Sequence, residues 1–182
     1  DVILVCCLAH ARRKFFEAVP AARRKRLKLL DINSDEAIED INLPDEEEAK
    51  QLLPAEIGLL YCNKLFYLER TLKDLNPEER KQQRDVLEQP VWDQFWNWLD
   101  TLHPTGGSKL GKAVNYAQNH HDTLMNYLLD GRCEISNNRA ERKAKSYAIG
   151  RKAFLFHTSE TGAGASAVMY SIVETAKANN LN

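Results

Sequence analysis

The sequence carries almost no net charge and few of the residues that announce a site. Its 25 lysines and arginines against 26 aspartates and glutamates give a formal charge of −1, so bulk charge points to no partner. Its four cysteines, Cys6, Cys7, Cys62 and Cys133, show no CxxC spacing. That leaves no zinc knuckle or disulfide framework to read, and reduced thiols in a cytoplasmic protein are the expectation. No apolar run approaches the ~20 residues that cross a bilayer. The early run VILVCCLA is too short and lacks a basic leader, so no membrane partner is expected. His120 and His121 are neighbours, which on a helix point ~100° apart and cannot chelate one metal as an HxxxH pair could. There are no internal repeats or low-complexity tracts. With 43% hydrophobic and 28% charged residues the chain reads as globular, and 182 residues suffice for one domain or a core plus an insertion.

The neutral average hides blocks of opposite sign. Between 12 and 28 lie Arg12, Arg13, Lys14, Arg23, Arg24, Lys25, Arg26 and Lys28 against Glu17 alone. Residues 31–48 hold nine acidic side chains and no lysine or arginine, and residues 139–152 are basic again. Basic blocks suit a polyanion, although solvated helix faces look the same.

Hydrophobic periodicity predicts a mostly α chain. The exception is VILVCCL at 2–8, a continuous β-branched run that fits a strand buried on both faces of an α/β sheet. No second run of this quality follows, and the sequence begins inside this one without an initiator Met, which reads as a piece of a longer protein. Next come a helix in ARRKFFEAV ended by Pro20, an acidic loop or weak helix at 31–47, and helical spacing from about 48 to 75. NPEER marks a helix start, with Asn76 as N-cap and Pro77 at the first helical position. A break near Pro90 precedes a helix whose Trp92, Phe95, Trp96 and Leu99 line one face, as core packing. KLGKAVNYAQNHHDTLMNYLLDG reads as one helix closed by Gly131, AFLFH at 153–157 as a short extended segment, TSETGAG as a turn, and GASAVMYSIVETAKANN as a terminal helix.

One stretch, SNNRAERKAKSYAIGRK at 136–152, sets a lone carboxylate, Glu141, among Arg139, Arg142, Lys143, Lys145, Arg151 and Lys152. Asn138 followed three residues later by Glu141 fits a capping box, and acidic residues suit a helix N-terminus. The other reading is one ligand of a metal site acting on a polyanion: phosphodiester cleavage by two Mg²⁺ ions needs clustered carboxylates, with nearby cations to hold phosphates. The pattern alone leaves both open.

Longer blocks carry a resemblance. CLAHARRKFFEA is similar to the C-W-A-H-x-R-R-K-F segment of the bacterial transposases of insertion-sequence family sixty-six. LLDGRCEISNNRAERKAKSYAIGRKAFLF, with GAGASAVMYSIVETAKANNLN, resembles that family's D-G-R-x-x-x-x-N-N-x-x-E-R, G-R-K-x-x-L-F and Y-S-x-x-E-T-A-K-x-N-G blocks. The likeness covers nearly the whole chain. It implies the C-terminal part of a ribonuclease-H-like core with a large helical insertion: residues 1–17 ending the sheet and starting the next helix, 18–130 the insertion, and 131–182 the catalytic-Glu helix and C-terminal helix.

The resemblance further implies a DDE transposase that cuts and joins transposon-end DNA and target DNA with Mg²⁺ or Mn²⁺, as a homo-oligomer in its active complex. By motif, Glu141 is the third acidic residue and a metal ligand, and Asn137 and Asn138 cap and position its helix. Arg139, Arg142, Lys143, Lys145, Arg151 and Lys152 become candidate DNA contacts, as do His10, Arg12 and Arg13 just after the presumed strand. The family's two catalytic Asp residues lie upstream of the C-x-A-H segment, so residues 1–182 alone are expected to be inactive. Leu8 stands where the family has Trp, Ser136 where Asp is common, and Asn180 where Gly is usual. A non-catalytic DNA-binding or interaction module from a truncated element is the alternative.

Overall fold

The computed structural model describes residues 2–26, 42–154 and 159–181. These form two compact units, residues 1–136 and 137–182. Among the described residues the regular structure is entirely helical.

The first unit is built on a helix, α1 (Leu8–Ala18), which packs against α4 (Pro54–Thr71) and α7 (Lys109–Asn119). Between them come α2 (Ala21–Arg26), the short α3 (Glu46–Ala49), α5 (Pro77–Leu87) and α6 (Gln89–Asp100); α8 (His121–Met125) and a 3₁₀ turn, Asn126–Leu129, follow α7. Local chemistry sets the starts. Asn76 Oδ1 accepts from the Glu79 amide at 2.9 Å and Glu79 reaches back to the Asn76 amide, with Pro77 at the first helical position, as the sequence predicts. Ser108 caps α7 through the Gly111 amide at 2.9 Å. The aromatic stripe is core: Trp92, Phe95 and Leu99 are buried, Phe95 meets Phe15 edge-on at 6.1 Å, and Trp96 stacks on Trp92 at 5.5 Å while half-buried. Each such side chain contributes about 1.5–3 kcal/mol by leaving water. Gly58 lets the Phe15 ring close on α4, since a Cβ there would meet the ring itself.

Several expectations are corrected. Residues 2–7 form no ladder with any described residue, and Val2, Ile3 and Leu4 are exposed rather than buried. This segment is held by isolated bonds: Cys6 N–H to Thr123 O at 2.8 Å, Asn126 Nδ2 to Leu4 O at 2.8 Å, and Leu8 N–H to Ile135 O at 3.1 Å. A strand exists only through a paired neighbour, and here the neighbours are a helix end and a loop, so an apolar run stays unpaired. The helix expected from 109 to 130 breaks at His120, whose φ of −118° and ψ of 19° leave the helical region. The helical spacing from 48 splits into α3 and α4, because Pro54 cannot donate an amide inside a continuous helix.

In the second unit α9 (Asn138–Phe154) runs through the start of the segment expected to be extended; residues 155–157 of that segment lie outside the described residues. So does most of the acidic stretch at 31–47, namely 31–41. The last helix, α10 (Glu160–Ala178), starts within the expected TSETGAG turn because Ser159 Oγ caps the Gly162 amide at 3.1 Å.

Candidate functional site

Glu141 lies in the first turn of α9. The Glu141 amide donates to Asn137 O at 2.9 Å, the first intrahelical bond, which makes Asn137 the N-cap position. Asn138 is then the first helical residue, Ala140 occupies the position a capping-box glutamate would take, and Glu141 is one residue past it. The capping box expected of Asn138 and Glu141 therefore loses its register, although a carboxylate near this end still gains from the helix dipole. Glu141 is exposed.

Helical geometry sorts the basic neighbours. At ~100° per residue, Lys145 stands one turn beyond Glu141 on the same face and position 152 returns to it, whereas Lys143 is turned to the opposite side. There Lys143 meets α10: its Nζ lies 3.6 Å from Glu174, whose carboxyl is held below its ordinary value, first by a hydrogen bond from Lys177 and then by Lys143. Tyr147 contacts Tyr170 edge-on at 5.2 Å beside this pair. Arg139, Arg142, Lys143 and Lys145 are all exposed; Arg151 and Lys152 belong to α9 by backbone, with side chains outside the description.

The remaining candidates lie in the first unit. Arg13 is exposed and His10 half-buried on α1. Arg12 differs: it is 5% exposed, and its Nε donates to Asn63 Oδ1 on α4 at 2.5 Å. Arg12 is thus drawn into the helix seam, whereas Arg13 is exposed. The two arginines are adjacent, hence ~100° apart on α1, which lets one turn inward while the other stays exposed.

Sequence reasoning missed a buried polar cluster. Arg84, fully buried, binds both carboxylate oxygens of Glu69 (2.6 and 3.0 Å) and the carbonyls of Tyr127 (2.8 Å), Asp130 (3.0 Å) and Cys133 (2.7 Å). Glu88 accepts from the Tyr127 hydroxyl, and Trp92 Nε1 donates to the same hydroxyl at 3.1 Å. Burial first, then the charge of Glu69, pushes the Glu88 carboxyl up to about 9. The cluster fixes the D-G-R loop at 130–132. Gly131 is required there because a Cβ would run into the Pro77 carbonyl, and Asp130, which accepts three hydrogen bonds from the Arg132 side chain, is held at about 2. The available signal was the spacing of Arg80, Arg84 and Glu88, three charges four apart on one face.

Among the described residues no group of three or more His, Cys, Asp or Glu could hold a metal ion, so they do not by themselves fit a Mg²⁺ centre. None of the described helices is long and apolar enough to cross a membrane.

Comparison with known proteins gives the relationship. Uncharacterized protein y4hP of Sinorhizobium fredii is 30% identical over 179 residues, covering 97% of this chain and 29% of its own length. Uncharacterized proteins y4jD and y4qI of the same organism are 29% and 25% identical over 98% of this chain. The chain thus spans less than a third of the length of these relatives. No solved structure matches. Residues 1–165 match the family described as "Transposase IS66 family", and the chain belongs to that family.

Proposed function

We propose that this chain is the C-terminal part of the catalytic domain of a DDE transposase, in which Glu141 is one carboxylate ligand of a Mg²⁺ or Mn²⁺ centre that cuts and joins transposon-end DNA. The observation that carries this reading is an exposed carboxylate in the first turn of α9, bordered by exposed Arg142 and Lys145, in a chain of a transposase family. The described residues lack the other ligands, so the centre belongs to the full-length protein, with two aspartates from outside this sequence and a ribonuclease-H-like sheet to hold them. Residues 1–17 would then join that sheet, 18–130 form a helical insertion and 131–182 carry the Glu helix. Arg139, Arg142, Lys145, Arg151 and Lys152, with His10 and Arg13, would neutralise phosphates of transposon-end and target DNA. The working assembly is a homo-oligomer in the cytoplasm.

The test is Glu141→Gln in the full-length protein, an isosteric change that removes the charge. Strand cleavage at the transposon end is expected to be lost while end-DNA affinity stays within about twofold. Normal cleavage by Glu141→Gln would sink the metal-ligand role and leave a DNA-binding module without catalysis.

A further inference from the structure

Among the described residues, the seam between α1 and α4 holds a buried cation that no carboxylate pairs. Arg12 is 5% and Asn63 0% exposed. Because Arg12 Nε–H donates to Asn63 Oδ1, the orientation of the amide is fixed, and its Nδ2 is left as a buried donor with no acceptor. No described carboxylate pairs with the Arg12 guanidinium. Its titratable neighbour is Cys62, whose thiol burial pushes up to about 12, so that it stays neutral and supplies no negative charge. Arg84 shows how this fold otherwise satisfies a buried arginine, with two carboxylate oxygens and three carbonyls. A buried guanidinium short of such partners is costly, and arginine does not escape by losing its proton.

We propose that Arg12 and Asn63 form an oxyanion site that takes a single phosphate group. The unused groups are all donors: the N–H groups on Nη1 and Nη2 of Arg12 and the Nδ2 amide of Asn63. A site of donors alone rejects cations and suits a tetrahedral anion with several acceptor oxygens, which a guanidinium binds through two parallel N–H bonds. Exposed Arg13, the next residue, adds positive charge at the same helix. The same chemistry is offered by inorganic phosphate and by a phosphodiester of bound DNA; only the second source rests on the transposase reading.

The experiment is thermal unfolding of the 182-residue chain in inorganic phosphate against chloride at equal ionic strength, comparing wild type with Asn63→Asp and Arg12→Met. Asn63→Asp supplies the missing carboxylate inside the fold, and Arg12→Met removes the cation while keeping apolar bulk. Phosphate at tenfold its Kd is expected to raise the wild-type Tm about 3–5 °C more than it raises either variant. The general stabilisation by phosphate as an excluded salt is common to all three chains and cancels. Asn63→Asp in chloride is expected to melt above wild type. Equal phosphate responses in wild type and every variant that folds overturn the site, and so does phosphate that fails to broaden or shift its ³¹P resonance when mixed with the wild-type chain. A second arm separates the sources. With transposon-end DNA, loss of several-fold affinity in Asn63→Asp assigns the phosphate to the DNA backbone; unchanged affinity with a retained phosphate response in the wild type assigns it to the free ion. Failure of Glu141→Gln to affect cleavage leaves the first arm untouched, so the two ideas fail separately.

Discussion

At the scale of single residues, the second unit sorts cations that look equivalent in the sequence. Lys143 and Lys145 are both exposed, yet Lys143 faces Glu174 at 3.6 Å while Lys145 shares the face of Glu141. A lysine already paired releases fewer counterions when it meets a phosphate. In the full-length protein, Lys145→Ala is therefore expected to reduce the slope of log K against log salt for end DNA by about 0.9, the value of one phosphate contact. Lys143→Ala is expected to reduce it by clearly less. A larger effect at Lys143 would mean that the Glu174 pair opens on binding and that the face assignment is wrong.

At the scale of elements, α5 is inverted relative to an ordinary amphipathic helix. Its Val86 is 65% exposed, whereas Arg84, and Glu88 just past its end, are fully buried. The helix is anchored through charge, by Arg84 to Glu69 and to three carbonyls around the 130–133 loop. Arg84→Met leaves the buried Glu69 without its bidentate partner and is expected to cost about 3–5 kcal/mol in urea unfolding. Arg84→Lys is expected not to restore stability, because an ammonium cannot span a carboxylate and three carbonyls at once. Wild-type stability in Arg84→Lys would show that charge alone matters.

Glu88 gives the same element a pH signature. Its folded value of about 9 lies above the ordinary 4.5, so the folded chain holds a proton that the unfolded chain has lost between those limits. The contribution is full below about 4.5 and is lost as pH rises through 9. Stability is expected to decline from pH 5 to pH 9 in wild type and to decline less in Glu88→Gln, which keeps a neutral side chain throughout. Parallel pH profiles of the two would place the titration elsewhere.

At the scale of the whole molecule, two compact units carry different parts of the proposed work. The first holds the helical core and the Arg12–Asn63 seam, and the second presents Glu141 on α9. Since no three metal-ligating side chains meet among the described residues, residues 1–182 are expected to bind end DNA without cutting it, and calorimetric titration with Mg²⁺ to reveal no tight site. Cleavage by residues 1–182 alone would overturn the proposal that the metal centre needs further carboxylates from the full-length protein.

The sequence by itself determined the family and several of the helix starts. Caps such as Asn76 with Pro77 and Glu79 act within one turn, and the Trp92, Phe95 and Leu99 stripe repeats at helical spacing, so both are legible without a fold. The DGR-to-NNRAER block is likewise a string of neighbours. What only the tertiary structure decided is which charges are inside. Arg12 meets Asn63 across 51 residues and Arg84 meets Tyr127 across 43, and nothing in their local windows separates them from the exposed Arg13 or Lys81. VILVCCL belongs to that level too: an apolar β-branched run becomes a strand only where a partner offers its edge, and none of the described residues does so. Propensity and capping are short-range and are written in the chain. Burial and pairing depend on surfaces brought together from distant segments, and appear only when the helices close on one another.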